Sequence, residues 1–301
     1  MISKINLFCI AFALLMVSCT KNNLPKRYLI GIKEFHELSK KSNVKIIDFR
    51  KLAAYNEGHV NNAIQMWRSD IEDHSLPYGG MKASKKQLET LFSKCGIDKN
   101  DTLLIVDDKG LCDAARLWWV LQYHNFTNVK LLNGGLATIK KAKIPLTTNE
   151  TVLKKTNFSF STETNTAYFA SRSQIKKAIQ KKGAIIIDTR TTDEYLGNVM
   201  KKGAFTKGNI PTSTLLDWAS AINYSGDKRI KTPVALEKIY AKIGAKKSDT
   251  IYVYCHSAVR SAHTTFVLTQ LLGYQHVLNY DGSWTEWSYY EKKNQDKLKN
   301  Q

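Results

Sequence analysis

Apolar and polar positions run along this chain in blocks, and the blocks occur twice. Tyr28-Leu29-Ile30 leads into a helical stretch, Lys33 to Lys41, and then into the β-branched run Val44-Lys45-Ile46-Ile47-Asp48. Tyr168-Phe169-Ala170 leads into a similar stretch, Ser173 to Lys181, and then into Ile185-Ile186-Ile187-Asp188. Such runs predict buried strands, and each is followed by the arginine of an Asp-x-Arg, Arg50 and Arg190. Further on, Thr102 to Asp107 falls on Thr250 to Cys255. The same register carries Asn133-Gly134-Gly135-Leu136 onto Asp281-Gly282-Ser283-Trp284. Each half therefore reads helix, strand, loop, helix, strand, loop, helix, strand. Short apolar strands alternating with helices predict the α/β class, with a parallel sheet covered by helices on both faces. The expected organisation is two tandem domains from a duplication, residues 25–145 and 167–301. Residues 146–166, rich in Thr, Asn, Ser and Lys, predict a linker between them.

Residues 1–18 stand outside this repeat. Lys4 supplies a positive start, and Leu7 to Val17 is apolar throughout. That run is shorter than the roughly 20 residues a membrane-spanning helix needs and suits the core of a secretory signal. Val17-Ser18-Cys19, followed by Thr20-Lys21-Asn22-Asn23, resembles a bacterial lipoprotein signal. By that resemblance Cys19 becomes the lipidated first residue of the mature chain, in the cell envelope facing the periplasm. An ordinary cleaved signal with an incidental cysteine is the alternative, and either way the chain leaves the cytoplasm. Cys9 is then lost with the signal, leaving Cys95, Cys112 and Cys255. An odd number in an exported protein points to at least one free thiol.

Composition narrows the class without naming a function. Of 301 residues, 43% are hydrophobic and 24% charged, which excludes wholesale disorder. Only 16 Gly and 5 Pro exclude a collagen-like or low-complexity chain. The net charge of +19 admits nucleic acid, an anionic membrane, small anionic substrates or simply a lysine-rich surface. No zinc-finger spacing, helix-turn-helix or arginine-rich arm is present, so the last two meanings remain.

The candidate chemistry lies at Cys255. The strand Thr250 to Tyr254 runs straight into Cys255-His256-Ser257-Ala258-Val259-Arg260-Ser261, and an amphipathic helix follows, stopping at Gly273. The carboxyl end of a parallel strand is where α/β sheets bind ligands. Loop amides and a helix N-terminus there favour thiolate over thiol and make the cysteine nucleophilic. Arg260 closes the loop with a cation suited to an oxyanion. Cysteine phosphatases use a similar loop with one more residue between Cys and Arg. The shorter loop here makes a tighter cup, matched to a sulfur atom carried on the cysteine.

These residues resemble the rhodanese family of sulfurtransferases in its tandem form. Tyr280-Asp281-Gly282-Ser283-Trp284-Thr285-Glu286-Trp287 matches the family's carboxyl-terminal signature. Tyr55-Asn56-Glu57-Gly58-His59-Val60 with Ala63 matches the amino-terminal one, except that Asn61-Asn62 replaces Pro-Gly. The equivalent of that segment in the second half, Gly208-Asn209-Ile210-Pro211, has Asn where His is usual. The resemblance implies a double displacement without cofactor or metal. Cys255 takes the outer sulfur of thiosulfate as a persulfide stabilised by the amides of His256, Ser257, Ala258, Val259 and Arg260. A thiol or cyanide then removes that sulfur. Arg260 is expected to hold the donor's sulfonate, and Arg190 either helps bind the anion or forms a structural salt bridge, as Arg50 would. Some relatives carry an arginine where this chain has Glu194, so contact with substrate from that position is not expected. Ala258 stands where glycine is common. Asp107 falls on Cys255 and Cys112 on Arg260, so the first half is expected to be inactive, walling the cleft and stabilising the second.

Blander roles are expected for the remaining candidates. Cys95 and Cys112 read as buried hydrophobes, His256 as a solvent-facing loop residue and His59 as structural. Trp118, Trp119, Trp284 and Trp287 read as core and interface packing. Mercaptopyruvate is a rival donor. A cysteine phosphatase or arsenate-reductase-like enzyme and a non-enzymatic binding module are the readings from other classes.

Overall fold

The computed structural model describes residues 27–299; the expected signal segment, with Cys9 and Cys19, lies outside the described residues. In the first half the elements run β1 (Leu29–Ile30), α1 (Ile32–Leu38), β2 (Val44–Asp48), α2 (Leu52–Asn56), β3 (His59–Val60), β4 (Ile64–Gln65), α3 (Lys85–Lys94), β5 (Thr102–Val106), α4 (Cys112–Tyr123), β6 (Val129–Leu132), α5 (Gly135–Lys141) and β7 (Leu146–Thr147). The second half runs β8 (Phe169–Ala170), α6 (Arg172–Gln180), β9 (Ile185–Asp188), α7 (Thr192–Leu196), β10 (Thr214–Leu215), α8 (Pro233–Tyr240), β11 (Thr250–Tyr254), α9 (Val259–Phe266), β12 (His276–Tyr280) and α10 (Ser283–Lys299).

The two main sheets have the same strand order, β1-β6-β5-β2-β4 and β8-β12-β11-β9-β10, and every pairing in them is parallel. The duplication seen in the sequence is thus a duplication of topology. The β-branched runs sit at the centres of these sheets because both faces are covered. Ile47, Ile105, Ile187, Ile251 and Val253 are fully buried.

The halves share one core. Every residue of α4 from Cys112 to Gln122 is buried, because this helix packs against its own strand β6 and against α9 of the second half. The Trp118 ring meets the Phe266 ring edge-to-face at 5.0 Å. The expected packing role of Trp118 is what the geometry shows.

The segment 146–166 is not a free spacer. β7 pairs antiparallel with β3, the Thr156 amide bonds to Ser93 O at 3.0 Å, and Phe158 and Phe160 are buried against Phe92. Its polar composition outweighed the short alternation Phe158-Ser159-Phe160, which was the available sign of a half-buried strip. Within the second half, α9 passes into a π-helical turn at Val267–Leu271, and Gly273 takes the left-handed conformation (φ +71°) expected after a helix end.

Candidate active site

β11 is bonded on both sides, to β9 and to β12, and it delivers Cys255 at its carboxyl end with 1% of its surface exposed. The following loop turns into α9 within a few residues, and it is fastened by the segment after β12. Ser283 Oγ accepts the Cys255 amide at 3.2 Å and the Ala258 amide at 3.0 Å, while donating to Tyr280 O at 2.8 Å. The Trp284 amide donates to Cys255 O and the Thr285 amide to His256 O, both at 3.0 Å. Asn279 Nδ2 reaches Ala258 O at 3.3 Å. The eight-residue run 280–287 is therefore the clamp that shapes the cysteine loop.

Ala258 supplies the turn into α9 with φ +55°, a left-handed conformation that costs an L-residue about 1–2 kcal/mol. In the first half the register places Gly110 here, at φ +62°. Ala258→Gly is expected to stabilise the protein by about 0.5–1 kcal/mol, since relief of strain outweighs the extra freedom of the unfolded chain. Urea unfolding of the two proteins checks it.

The electrostatics favour a thiolate. Burial pushes the Cys255 pKa up, but Arg260, the Ser261 hydroxyl and the amides of Ser261 and Ser257 pull it down and prevail. Arg260 itself is not free. Its Nη1 and Nη2 bond to Glu194 Oε2 and Oε1 at 2.5 and 2.8 Å, a two-pronged pair in a largely buried setting. Burial would raise the Glu194 carboxyl, yet the hydrogen bonds and charge of Arg260 hold it down at about 2. In this structure the Arg260 guanidinium is held by Glu194, while its charge favours the Cys255 thiolate.

Arg190 is also engaged by a carboxylate. Its Nε and Nη2 clasp Asp188 at 3.0 and 2.6 Å, and Nη2 reaches Gly208 O at 2.7 Å, with 2% of the residue exposed. Arg50 repeats the arrangement with Asp48 at 2.7 and 2.6 Å and with Gly58 O at 2.8 Å. The pair is a duplicated structural brace, one of the two alternatives open from sequence.

His256 is buried rather than solvent-facing. Its Nε2 lies 3.1 Å from Lys202 O, and burial, then Lys201 and Arg260, push its pKa down to about 4. It is a neutral strut that ties the cysteine loop to the 201–204 turn. His59, with both ring nitrogens against the carbonyls of Tyr55 and Asn149, is structural in the same sense.

The first half fills its own loop. Asp107 occupies the register position of Cys255, and its carboxylate accepts the amides of Lys109, Leu111, Asp113 and Ala114 at 3.1–3.3 Å. Burial and neighbouring Asp113 nevertheless raise its pKa to about 7 against those amides. Cys112, at the position of Arg260, is a buried thiol pushed well above the ordinary range by desolvation. In this half the amide cradle is taken up by the Asp107 carboxylate. The corresponding amides in the second half belong to Ser257, Val259, Ser261 and Ala262, and those of Ser257 and Ser261 already act on the Cys255 sulfur.

The first half also stands directly against the active loop. Thr285 Oγ1 donates to Gly79 O at 2.7 Å. At Gly80 (φ +94°) an added Cβ would lie 2.4 Å from Ser257 Cβ and 3.0 Å from its Cα. Gly80→Ala is expected to displace the Ser257 turn and cut kcat/KM at least tenfold, because small misplacements at a reacting centre are costly. Steady-state kinetics beside a melting curve would separate this from unfolding.

The comparisons agree with this geometry. The rhodanese-like domain family matches residues 32–142 and 171–289, one domain in each half. The "Sulfur carrier protein TtuD" of Thermus thermophilus is 34% identical over 243 residues, covering 77% of this chain and 83% of that protein. A Mycobacterium bovis protein named "Putative thiosulfate sulfurtransferase 1" is 33% identical, with 78% and 84% covered. The crystal structure of SseA from Escherichia coli, described under 3-mercaptopyruvate sulfotransferases, shares the fold at TM-score 0.72 and 22% identity, covering 86% of this chain and 99% of that one. With a matching domain in each half, a common strand order and a cysteine loop at one β-strand end, the chain belongs to the rhodanese family as a tandem pair.

Proposed function

We propose that this protein is a thiosulfate sulfurtransferase working through a persulfide on Cys255. The observation that carries this reading is the Cys255 thiol itself, buried yet held toward thiolate by Arg260, Ser261 and loop amides. The thiolate attacks the outer sulfur of thiosulfate; the S–S bond breaks and its electron pair leaves with sulfite. The terminal persulfide sulfur then lies within the amide loop, in the place that the Asp107 carboxylate takes in the first half. A thiolate or cyanide attacks that sulfur, and the Cys255 thiolate leaves with the electron pair and is restored. The sulfur-carrier and thiosulfate sulfurtransferase names of the similar proteins support this class of reaction.

The test is intact mass after incubation with thiosulfate or mercaptopyruvate, with Cys255→Ala as control. A gain of one sulfur from thiosulfate, absent in the control, is expected. A gain from mercaptopyruvate alone overturns the choice of donor, and a gain from neither overturns the sulfurtransferase reading.

We also propose export and membrane attachment through a lipidated Cys19. Radiolabelled palmitate should enter the wild-type chain and not Cys19→Ser, and equal absence from both overturns the anchor. Such placement suits a small anionic substrate met by a strongly cationic protein.

A further inference from the structure

At the amino end of the first sheet, opposite the Asp107 cradle, lies a cavity of about 420 Å³. That falls within the roughly 300–1,000 Å³ of small-molecule sites. Lys40, Lys41, Lys45 and Lys154 line it together with Asn61 and Asn62, and none of its lining residues is Asp or Glu. Lys40 is paired with Glu37 at 2.9 Å on the open surface. The ammoniums of Lys41, Lys45 and Lys154 have no hydrogen bond or ion pair among the described residues.

Lys45 breaks the pattern of its own strand. It pairs with Leu103 of β5 as Ile185 pairs with Ile251 of β11, so the second half carries isoleucine at this place. A half-buried lysine in a central parallel strand, with no carboxylate to offset its desolvation, contradicts the apolar run around it. Asn61 likewise stands where the second half has Pro211. The cavity at the matching end of the second sheet, about 300 Å³, has Lys177 and Lys181 with Asp249 in its lining. The unopposed charge therefore belongs to the first half alone. Its outer wall is the segment after β7, and that wall is braced. Thr151 Oγ1 donates to Ala63 O at 2.8 Å and lies 3.2 Å from Tyr55 Oη. Lys154 sits on Gly96 (φ +70°), where an added Cβ would lie 2.6 Å from Lys154 O. Val152 and Leu153, 96% and 43% exposed, give the same wall an apolar margin.

We propose that this cavity is a second binding site, taking a phosphate monoester carried by a lipid or by a small soluble molecule. Three unpaired ammoniums around one space call for a ligand with more than one negative charge. A phosphate monoester carries nearly two near neutral pH, and its three oxygens can be shared among Lys41, Lys45 and Lys154. The side-chain amides of Asn61 and Asn62 add neutral donors. Val152 and Leu153 would meet the carbons that bear the phosphate. The cavity shares no residue with the Cys255 loop, so the inference stands apart from the sulfurtransferase reading.

The experiment uses the full chain and sets Lys45→Gln/Lys154→Gln against a charge-matched control in the second half, Lys177→Gln/Lys181→Gln. Co-sedimentation with phosphatidylcholine vesicles, with and without phosphatidate, tests the lipid source; a membrane anchor would contribute equally to every protein. Calorimetry with glycerol 3-phosphate tests the soluble source. In at least one arm the Lys45/Lys154 variant should bind about tenfold more weakly than wild type, with the control within about twofold. A loss confined to phosphatidate vesicles assigns a lipid headgroup, and a loss in calorimetry assigns a soluble ester. Should a melting curve show that Lys45→Gln impairs folding, Lys41→Gln/Lys154→Gln replaces it, since both of those lysines are exposed. Sulfur uptake at Cys255 should stay within about twofold of wild type throughout, which separates failure of this site from failure of the sulfurtransferase reading. Absence of wild-type binding in both arms, binding unchanged in the cavity variants, or an equal loss in the control overturns the proposal.

Discussion

Cys255→Ser should abolish sulfur uptake from thiosulfate while leaving the melting temperature close to that of the wild type. Serine fits the same space and keeps a hydrogen-bonding atom under the loop amides, so the clamp from Ser283, Trp284 and Thr285 is retained. The hydroxyl has no accessible anion near neutral pH, and the reaction loses its nucleophile. In the wild type, kcat/KM should rise with pH as the thiolate forms. Because Arg260 and the loop hydrogen bonds outweigh burial, the midpoint should lie below that of an ordinary thiol. The thiolate is present above that midpoint and is lost as pH falls through it. Arg260→Gln removes the strongest stabilising charge and should move the midpoint upward, with the largest loss of activity on the acidic side. A pH profile of both proteins over the neutral range checks the direction; an unchanged midpoint in Arg260→Gln would show that the amides alone set the thiolate.

Much of this arrangement was legible in the chain because repetition exposes it. The paired runs ending at Asp48 and Asp188 gave the sheet centres, and the register from Asp107 to Cys255 located the one nucleophile. Which partner each arginine takes was not legible. Arg190 and Asp188 are neighbours in sequence, so a local brace could be anticipated, whereas Arg260 and Glu194 are 66 residues apart and meet only when α7 folds beside α9. His256 was misplaced for a related reason: a polar residue in a short loop reads as exposed until the 201–204 turn is known to cover it. Sequence also showed that Asp107 removes the nucleophile, but not that its carboxylate binds the amides a ligand would use. The aspartate signal for that second role was present, since a carboxylate is an acceptor and such a loop presents donors.

Removing either partner of the Arg116–Asp281 pair should destabilise the protein by about 3–5 kcal/mol. Arg116 lies on α4, and Asp281 belongs to the clamp of the cysteine loop. They meet across the two halves at 2.8 Å, with each side chain almost wholly buried. Arg116 Nη2 also donates to Gly80 O at 2.8 Å, and Asp281 receives the Lys82 amide. One ion pair therefore joins α4, the Gly80 turn beside Ser257 and the loop clamp. Asp281→Ala leaves a buried guanidinium without its anion, and Arg116→Met leaves a buried carboxylate with one amide. Each should lower stability by the stated amount and reduce activity beyond its effect on folding, because the clamp loosens. Arg116→Met combined with Asp281→Asn should recover a large part of the stability, since neither member then buries an uncompensated charge. Activity should recover less, because the Gly80 carbonyl has lost its donor. Urea unfolding read by tryptophan fluorescence and by far-ultraviolet circular dichroism would give one coincident transition in the wild type, as a core shared by both halves requires. Two separated transitions in the wild type, or single variants as stable as the wild type, would mean that the halves do not depend on this pair.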